Sequence, residues 1–342
     1  MDLLPSREQL ELVAAATDFL DSHPPVDILR TRRGESGVVD PAQWAGAAEI
    51  GLLTLGLDEE QGGLGRPLED EALLFRALGR RLASGPHLAC VLGARVAAHH
   101  GDTALAEAVG EGRALIGLAE PRGEPAVGPD GVKGAFDLID AAGAGHLLVV
   151  TEAGAALVEA PAAGQVEAVE ALDPGMRLAT ATLEITRVLH WVPAGTDPLW
   201  LRALALNAAT LAGVAEATTE LAARHAGERV QFGKPIGVNQ AVKHACVDMA
   251  VRAEAAADQS LFAAVALRSG RPDALFQLLS AKSVAGRAAV DNAASCIQLH
   301  GGMGFTDEHD AHLYLKRAHS LNHLFIEPAD VLARLLAEGA AQ

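Results

Sequence analysis

Cysteine is scarce in this sequence, and the three that occur, Cys90, Cys246 and Cys296, are far apart and form no C-x-x-C pair. A disulfide framework or a zinc site is therefore not expected, and a reducing compartment fits best. The sequence also lacks the run of about 18 apolar residues that a membrane-spanning helix needs. Its N-terminus has acidic residues among the leucines rather than the basic-then-apolar pattern of a signal peptide. We therefore expect a cytoplasmic protein that is not inserted in a membrane.

Basic residues are outnumbered by acidic ones, 27 to 44, which gives a net charge of −17. Nucleic acids and anionic membrane surfaces are bound by basic faces, so neither is an expected partner. Aromatic residues make up 4% of the chain, whereas apolar residues as a whole make up 50%. Alanine and leucine dominate that apolar share and are the strongest helix formers, which predicts a mainly α-helical protein.

The chain divides into three stretches of different pattern. The first predicts an N-terminal helical domain, because apolar residues recur in it at helical spacing. The second has short strand-like runs separated by glycine and proline, which predicts a small β domain. The third is alanine-rich and predicts long helices that turn at Pro272 and at Gly301-Gly302. The predicted domains are 1–112, 113–193 and 194–342. The strand-like runs are 114–118, 146–151 and 179–185, and the long helical runs are 203–225 and 241–269.

Two segments near the C-terminus carry the most specific pattern. The first, Glu228–Ile236, has the sequence ERVQFGKPI and is followed by Gln240. The second, Gln298–Thr306, has the sequence QLHGGMGFT. Gly-Gly-x-Gly alone is usually a turn, and Arg-x-x-Phe-Gly alone is usually a helix end. The two together, in this order and at this spacing, point to a shared function.

Both segments resemble the acyl-CoA dehydrogenase family. The C-terminal helical domain of that family bears Arg-x-x-Phe-Gly-x-x-Ile with a downstream Gln, and then Gln-x-x-Gly-Gly-x-Gly-Phe. The resemblance covers nearly the whole chain, including Trp44 to Gly65 and Arg317-Ala318, and is sharpest in the C-terminal third. It implies a helical domain, a small β-barrel and a four-helix bundle, in that order. It also implies FAD as cofactor and an acyl-CoA thioester as substrate.

The physical chemistry of the motif residues agrees with a nucleotide cofactor. Arg229 has a fork of donors that suits a pyrophosphate. Gly301-Gly302, expected at a helix start, would let backbone amides approach the same group. Gln240 and Gln298 can hydrogen-bond a nucleotide, and Phe232 offers an apolar face to a ring. In the family these groups reach the FAD of a neighbouring protomer, so the resemblance implies an oligomer.

Four histidines, His309, His312, His319 and His323, lie near one face of a predicted helix. No cysteine or carboxylate at matching helical spacing completes a metal-ligand set. We therefore interpret them as surface histidines and expect no metal.

The catalytic base of the family has no counterpart at either of its known positions. Dehydrogenation needs a carboxylate that removes the α-proton of the thioester while the flavin accepts a hydride. In most members this base is a Glu in a Tyr/Phe-Glu-Gly-Thr loop, and its position falls on Phe325. In other members the base lies on the helix that opens the last domain, where this chain has Ala203. The resemblance thus implies no catalytic residue here, with Glu327 as the nearest alternative.

The segments that line the flavin in the family are also altered. Thr-Glu-Pro-Gly-x-Gly-Ser-Asp is reduced here to Ala119–Gly123, and Trp-Ile-Thr is replaced by Leu138–Asp140. These losses remove the chain's own flavin pocket and base, yet they spare the groups that act on a neighbour's FAD.

Such a pattern resembles the short partner subunit of heteromeric family members from actinobacterial steroid and cholesterol degradation. In that branch two unlike chains form an α2β2 assembly. The resemblance implies a supporting subunit that pairs with a second, catalytic acyl-CoA dehydrogenase chain and acts on a bulky, steroid-derived acyl-CoA. It leaves the electron acceptor open. Two alternatives remain: a self-sufficient homo-oligomeric dehydrogenase with a relocated base, and a non-enzymatic scaffold on the same fold.

Overall fold

A computed structural model describes residues 4–22, 24–31 and 39–338 of the chain. The described part before residue 111 is helical, as predicted. Local sequence explains where one helix begins: the Asp40 carboxylate accepts from the amides of Ala42 and Gln43, and Pro41 occupies the first helical position. The six α-helices in these ranges are α1 (Arg7–Ser22), α2 (Pro25–Thr31), α3 (Pro41–Glu49), α4 (Leu68–Arg80), α5 (His87–His99) and α6 (Thr103–Gly110).

A seven-stranded sheet follows these helices, which confirms the predicted β domain. Its strands are β1 (Ile116–Gly128), β2 (Gly131–Ile139), β3 (His146–Thr151), β4 (Gly154–Glu159), β5 (Val166–Val169), β6 (Leu178–Thr186) and β7 (Val188–Pro193). The strand order is β5-β6-β2-β1-β3-β4-β7, with β1 and β3 parallel and the other neighbours antiparallel. The predicted runs 146–151 and 179–185 lie in β3 and β6. The run 114–118 is only the beginning of β1, because pairing with β2 extends that strand through two prolines.

Helices dominate the described part of the chain after residue 198, as the alanine-rich pattern predicted. They are α7 (Leu199–Glu228), α8 (Gln240–Arg268), α9 (Ala274–His300), α10 (Ala311–Asn322) and α11 (Pro328–Glu338). A small hairpin of β8 (Val230–Gln231) and β9 (Lys234–Pro235) lies between α7 and α8. The turns predicted at Pro272 and at Gly301-Gly302 separate α8 from α9 and follow α9. Within the described ranges, no helix combines the length and the apolar character that crossing a bilayer requires.

The chain folds into two compact units, each assembled from separate segments of sequence. Unit 1 comprises the described residues of 1–13, 72–83 and 204–342, and unit 2 those of 14–71 and 84–203. The domain boundaries predicted from the sequence, after residues 112 and 193, stay a prediction.

Unit 2 contains an apolar core on one face of the sheet. Its members alternate along each strand, because successive side chains of a strand point to opposite faces. All of them are at most 6% exposed. They are Ala119, Val132, Phe136, Leu138, Leu147, Val149, Ala156, Val158, Ala181 and Leu183.

One buried amide, that of Asn292 on α9, joins the three long helices of unit 1. Its Nδ2 donates to the carbonyl of Met249 on α8 at 2.9 Å and to Thr219 Oγ1 on α7 at 3.1 Å. Its Oδ1 accepts from Arg252 Nε at 2.7 Å. Asn292 is 0% exposed, so each of these bonds forms out of water, where losing one leaves a buried polar group unsatisfied. The side chain therefore fixes the relative positions of α7, α8 and α9.

Within unit 1, α4 and α7 approach so closely that glycine is required on both helices. A Cβ placed on Gly79 would lie 2.0 Å from the carbonyl oxygen of Thr210. A Cβ placed on Gly213 would lie 2.0 Å from the carbonyl oxygen of Arg76. Because backbone atoms cannot turn aside as a side chain can, any larger residue must push the two helices apart.

We predict that Gly213→Ala destabilises the protein by about 1–3 kcal/mol, the usual cost of overpacking a well-filled interior. Gly227→Ala on the same helix is the matched control, because a Cβ there meets nothing within 4 Å. That control should gain about 0.5–1 kcal/mol from helix propensity. Urea unfolding monitored by circular dichroism measures both changes. Equal stability of the two variants would contradict the close approach.

Candidate functional site

Arg229 is the first residue after α7, and its backbone is held on both sides. Its amide donates to the carbonyl of His225 at 2.8 Å, and its carbonyl accepts from the amide of Ile236 at 2.8 Å. The side chain is exposed, and it has no ion-pair partner among the residues that the structure describes. The guanidinium is thus positioned by its backbone and available to an anion.

Phe232 and Gly233 form the two-residue turn of the β8–β9 hairpin. Their φ angles are +52° and +76°, the signs that a type I′ turn has at both central positions. Glycine adopts this conformation at little cost, whereas a bulky residue does so rarely. Phe232 is nevertheless completely exposed, at 103% of its reference area. A fully exposed aromatic side chain on a backbone of this unfavourable conformation makes Phe232 a candidate for contact with another molecule.

Gln240 and Gln298 lie at the start of α8 and in the last turn of α9. Both side chains are exposed. The 3-10 turn Ile236–Val238, just before Gln240, runs close to the end of α7, where a Cβ on Gly237 would lie 2.8 Å from the carbonyl oxygen of Ala226. The start of α8 is thereby held beside the end of α7.

The sequence predicted that the glycine pair Gly301-Gly302 begins a helix, and this prediction is wrong for an α-helix. The pair instead follows the end of α9 and opens a short 3-10 turn, Gly301–Phe305. Gly301 has φ +64° and ψ −141°, a conformation accessible to glycine and closed to other residues. Gly302 has no such conformation, and a Cβ placed on either residue would meet nothing within 4 Å. An anion here would meet open backbone rather than the positive end of an α-helix.

All six predicted cofactor-binding residues belong to unit 1, and all six are exposed. They are Arg229, Phe232, Gln240, Gln298, Gly301 and Gly302. The structure brings the end of α7 to the end of α9 through two histidines, since the His225 and His300 rings have centroids 4.1 Å apart. His225 lies one helical turn before Arg229, and His300 immediately precedes Gly301.

His225 and His300 were missed in the sequence, where the histidines of residues 309–323 attracted attention instead. The structure groups His309 with His300, at 4.1 Å between ring centroids. Adjacency to the two motifs was the signal that could have found them. Among the residues described, no group of three or more His, Cys, Asp or Glu side chains has the geometry of a metal site.

The two family positions for the catalytic base are both buried and apolar in this chain. Phe325 is 9% exposed, lies between the equally buried Leu324 and Ile326, and has φ +68°. Ala203, on α7, is 0% exposed. Glu327 is more than half exposed, and its Oε2 lies 2.6 Å from His323 Nδ1. Neither position holds a carboxylate, and the nearest one is directed to a surface histidine.

Charged side chains of unit 2 surround Arg202, the residue before Ala203. Arg202 Nε donates to Asp197 Oδ1 at 2.8 Å, and Arg202 Nη1 lies 3.7 Å from the Glu71 carboxylate. Burial raises the pKa of Glu71, against the attraction of Arg95 and Arg202. Burial acts to raise the pKa of Asp197 as well, but Arg202, His99 and Arg95 outweigh it and hold that pKa below its ordinary value. These carboxylates are engaged in an internal ionic network.

The segment that replaces Trp-Ile-Thr has a structural role here. Asp140, at its end, is 6% exposed and has φ +50°. Its Oδ1 accepts from the amide of Arg177 at 2.8 Å, and its own amide donates to the Arg177 carbonyl at 2.8 Å. The Asp140 carboxylate therefore joins β2 to the segment before β6.

The exposed groups of unit 1 fit the diphosphate end of a dinucleotide. An unpaired guanidinium and an open glycine turn are the donors that such an anion needs, and Gly302 is a glycine although neither its backbone angles nor its neighbours require one. The segments at residues 119–123 and 138–140 lack the residues that face a flavin ring in the family. The fit is therefore to part of the cofactor.

Comparison with known proteins agrees with this architecture. Residues 6–109 match the acyl-CoA dehydrogenase N-terminal domain, and residues 203–324 match the acyl-CoA dehydrogenase C-terminal domain. Acyl-CoA dehydrogenase IpdE2 of Mycobacterium tuberculosis is 33% identical over 341 residues, which cover 98% of each chain.

Solved structures give the same result. A chain of the Tcur3481-Tcur3483 steroid ACAD G363A variant is 28% identical, with a TM-score of 0.84 over 98% of this chain and 99% of that one. A chain of the ChsE4-ChsE5 complex from Mycobacterium tuberculosis is 22% identical and shares the fold, with a TM-score of 0.86 over 100% of both chains. With both terminal domains matched and a relative aligned over its full length, the chain belongs to the FAD-dependent acyl-CoA dehydrogenase family.

Proposed function

We propose that this chain is the supporting subunit of a heteromeric acyl-CoA dehydrogenase. It contributes donors to an FAD whose flavin ring is bound in the pocket of a second chain. That second chain also supplies the catalytic base. The observation that carries this proposal is the state of the two base positions: Phe325 and Ala203 are apolar and buried, while the groups suited to a diphosphate are intact and exposed.

In the assembly, each motif residue has a limited task. Arg229 neutralises charge on the cofactor diphosphate through charge-assisted hydrogen bonds. The turn at Gly301-Gly302 lets backbone amides reach the same group, and Gln240 and Gln298 donate or accept at the nucleotide. Bound FAD supplies the hydride acceptor. The partner's carboxylate takes the α-proton of the thioester, because the two family positions for the base hold Phe325 and Ala203 in this chain, and neither side chain can accept a proton.

An exposed apolar surface around these motifs supports a protein partner. Single exposed apolar residues are ordinary, but a concentration of them in one unit marks an interaction site. The members lie in the hairpin, the following 3-10 turn, the first half of α8 and the turn after α9. They are Val230, Phe232, Val238, Val247, Val251, Met303 and Phe305, each at least 49% exposed.

The relatives support a bulky substrate. The Tcur3481-Tcur3483 protein is a steroid acyl-CoA dehydrogenase made of two differently named chains, and its similarity to this chain exceeds that expected from a shared fold alone. We propose by analogy that the complex oxidises a steroid-derived acyl-CoA thioester between its α- and β-carbons. The analogy concerns the fold and the subunit arrangement, and the acyl group itself has to be found by assay.

Purification alone and with the partner tests the assignment. The chain by itself should be colourless and inactive. Co-expressed with a catalytic acyl-CoA dehydrogenase chain, it should give a yellow complex that reduces an artificial electron acceptor when a steroid CoA ester is added. A yellow, active homo-oligomer would support the self-sufficient alternative, whereas a complex without flavin or activity would support a scaffold.

We predict that Arg229→Ala weakens FAD retention by the complex without unfolding it. A hydrogen bond to a charged group contributes about 1.5–3 kcal/mol, which corresponds to roughly 10- to 150-fold in dissociation constant. Flavin absorbance after gel filtration measures the loss. Arg287→Ala is the control, because Arg287 is an exposed arginine of unit 1 that pairs with Asp291 on its own helix. Equal flavin occupancy of both variants would remove Arg229 from the site.

We predict that Gly302→Val prevents FAD binding more completely than Gly302→Ala. A β-branched side chain is stiff at χ1 and would fill the open space above the turn, whereas a methyl group fills less of it. Gly164→Val is the matched control, since Gly164 is also exposed, in a 3-10 turn and open to a Cβ. All three variants should unfold at the wild-type temperature. Normal flavin content in Gly302→Val would reduce the glycine to a turn residue.

We predict that Glu327→Gln leaves turnover of the reconstituted complex within a few-fold of wild type. Loss of a true general base should cost roughly 10²–10⁴-fold. Steady-state assays with the same acyl-CoA separate the two outcomes, and flavin absorbance confirms that the cofactor is still bound. A collapse of the rate with flavin retained would overturn the subunit assignment and make Glu327 the relocated base.

A further inference from the structure

Three histidine rings form a continuous stack beside the candidate cofactor residues. The His225 and His300 centroids are 4.1 Å apart, and the His300 and His309 centroids are also 4.1 Å apart, with tilted planes. The rings come from the last turn of α7, the last residue of α9 and the segment before α10. Cys296, whose Sγ lies 3.6 Å from His300 Nδ1, belongs to an apolar cluster of unit 1. The cluster consists of Ala222, Met249, Cys296, Ile297 and Ala311, with Leu221, Leu299 and Leu315.

Hydrogen bonds fix the state of Nδ1 in two of these rings, and for His309 that state is the neutral one. His300 Nδ1 lies 2.7 Å from the Cys296 carbonyl, so it carries a proton and donates it. His309 Nδ1 accepts from the amide of Ala311 at 3.1 Å, so in this state it carries none. That amide belongs to the first residue of α10, where no helical carbonyl is available to it. A proton on His309 Nδ1 would place two donors face to face and remove this contact.

The surroundings of His225 favour the neutral form of its ring as well. Burial, then His300 and Arg229, lower the pKa of His225 from its ordinary value of 6.5, against the opposing effect of Glu228. Cys296 faces the stack from α9, with Cys246 of α8 behind it. The acidic residues of the segment before α10 are Asp307, Glu308 and Asp310. The Asp307 carboxylate lies 3.9 Å from His312 Nε2.

We propose that His225, His300 and His309 form a proton-sensitive clasp that positions Arg229 and the Gly301-Gly302 turn for the cofactor. The clasp joins the two motifs, which are far apart in sequence, at the residues next to them. While the rings are neutral the two donors stay in register. When His225 and His309 take up protons, the turn separates from the end of α7, and cofactor binding weakens. This inference rests on the proposed function for its consequence, but the clasp itself can be measured without FAD.

The direction of the pH effect follows from the hydrogen bond to His309, which a proton on Nδ1 would remove, and the lowered pKa of His225 acts in the same direction. The open state binds protons more readily than the closed state, so acidification favours opening. The effect begins as the pH falls through about 6.5 and increases by about tenfold per pH unit for each extra proton bound. Above this range the clasp should be closed and insensitive to pH.

Hydrogen exchange of the full-length chain measures the clasp directly. We expect the amides of residues 301–310 to lose at least about tenfold in protection between pH 7.5 and pH 5.5, after correction for the intrinsic exchange rate. Residues 256–266, in the buried half of α8, serve as an internal control and should not change. Equal protection of residues 301–310 at the two pH values would overturn the proposal.

Substitution of His309 separates positioning from bulk stability. In His309→Asn, Oδ1 replaces Nδ1 as acceptor for the Ala311 amide but cannot take up a proton, so protection should persist at pH 5.5. In His309→Leu the acceptor is lost, and protection should be low at both pH values. An Asn variant with the same pH dependence as wild type would overturn the role of His309, whether or not the Leu variant folds.

The last arm connects the clasp to the cofactor. FAD retention by the complex with the catalytic chain should fall by at least about tenfold from pH 7.5 to pH 5.5 in wild type and by much less in His309→Asn. If hydrogen exchange depends on pH but FAD retention does not, the role of the clasp in cofactor binding is overturned. A complex that never binds FAD would instead overturn the proposed function, and the exchange result would still decide whether the clasp exists.

Discussion

The buried amide of Asn292 is the interaction on which the C-terminal unit depends. It bonds the backbone or side chains of α7 and α8 from its place on α9, entirely out of water. An alanine-rich helix has few large side chains to fix its rotation or its height relative to a neighbour. A directional amide supplies that specificity, because sliding one helix by a single residue would leave buried donors and acceptors unsatisfied. The helix ends that carry Arg229 and Gly301 are placed as a consequence.

A second buried polar group fixes the other end of the same unit. Lys282 on α9 is 1% exposed, and its ammonium donates to Asn207 Oδ1 on α7 at 2.5 Å and to the carbonyl of Leu321 on α10 at 2.8 Å. The buried apolar segment Leu324–Ile326 comes soon after Leu321 in the sequence. Since this segment is buried and holds an aromatic side chain at a positive φ, it contributes packing where other members of the family have a carboxylate.

Binding an anion and moving a proton make different demands on a protein. Groups that bind an anion at a distance from the chemistry need only exposure, a fixed backbone and the right donors, and unit 1 provides all three. Groups that move a proton need a carboxylate at one position and a matched pKa. The acids that pair with Arg202 or lie close to Phe325 in sequence have partners of their own: Glu71 and Asp197 pair with an arginine, and Glu327 with His323. In the proposed assembly, this chain lends binding strength to a site whose proton transfer is carried out by its partner.

The sequence by itself indicated the order of helical and strand regions, the family and the six cofactor candidates, because each depends on local periodicity or on a short motif. It also located Phe325 and Ala203 where a carboxylate would be needed. Tertiary structure alone decided that Gly301-Gly302 ends a helix, since the geometry after α9 depends on a glycine-only conformation that the motif letters do not reveal. It alone brought His225, His300 and His309 together. Their separation in sequence hides a contact that exists only because buried polar groups hold α7 and α9 in one register.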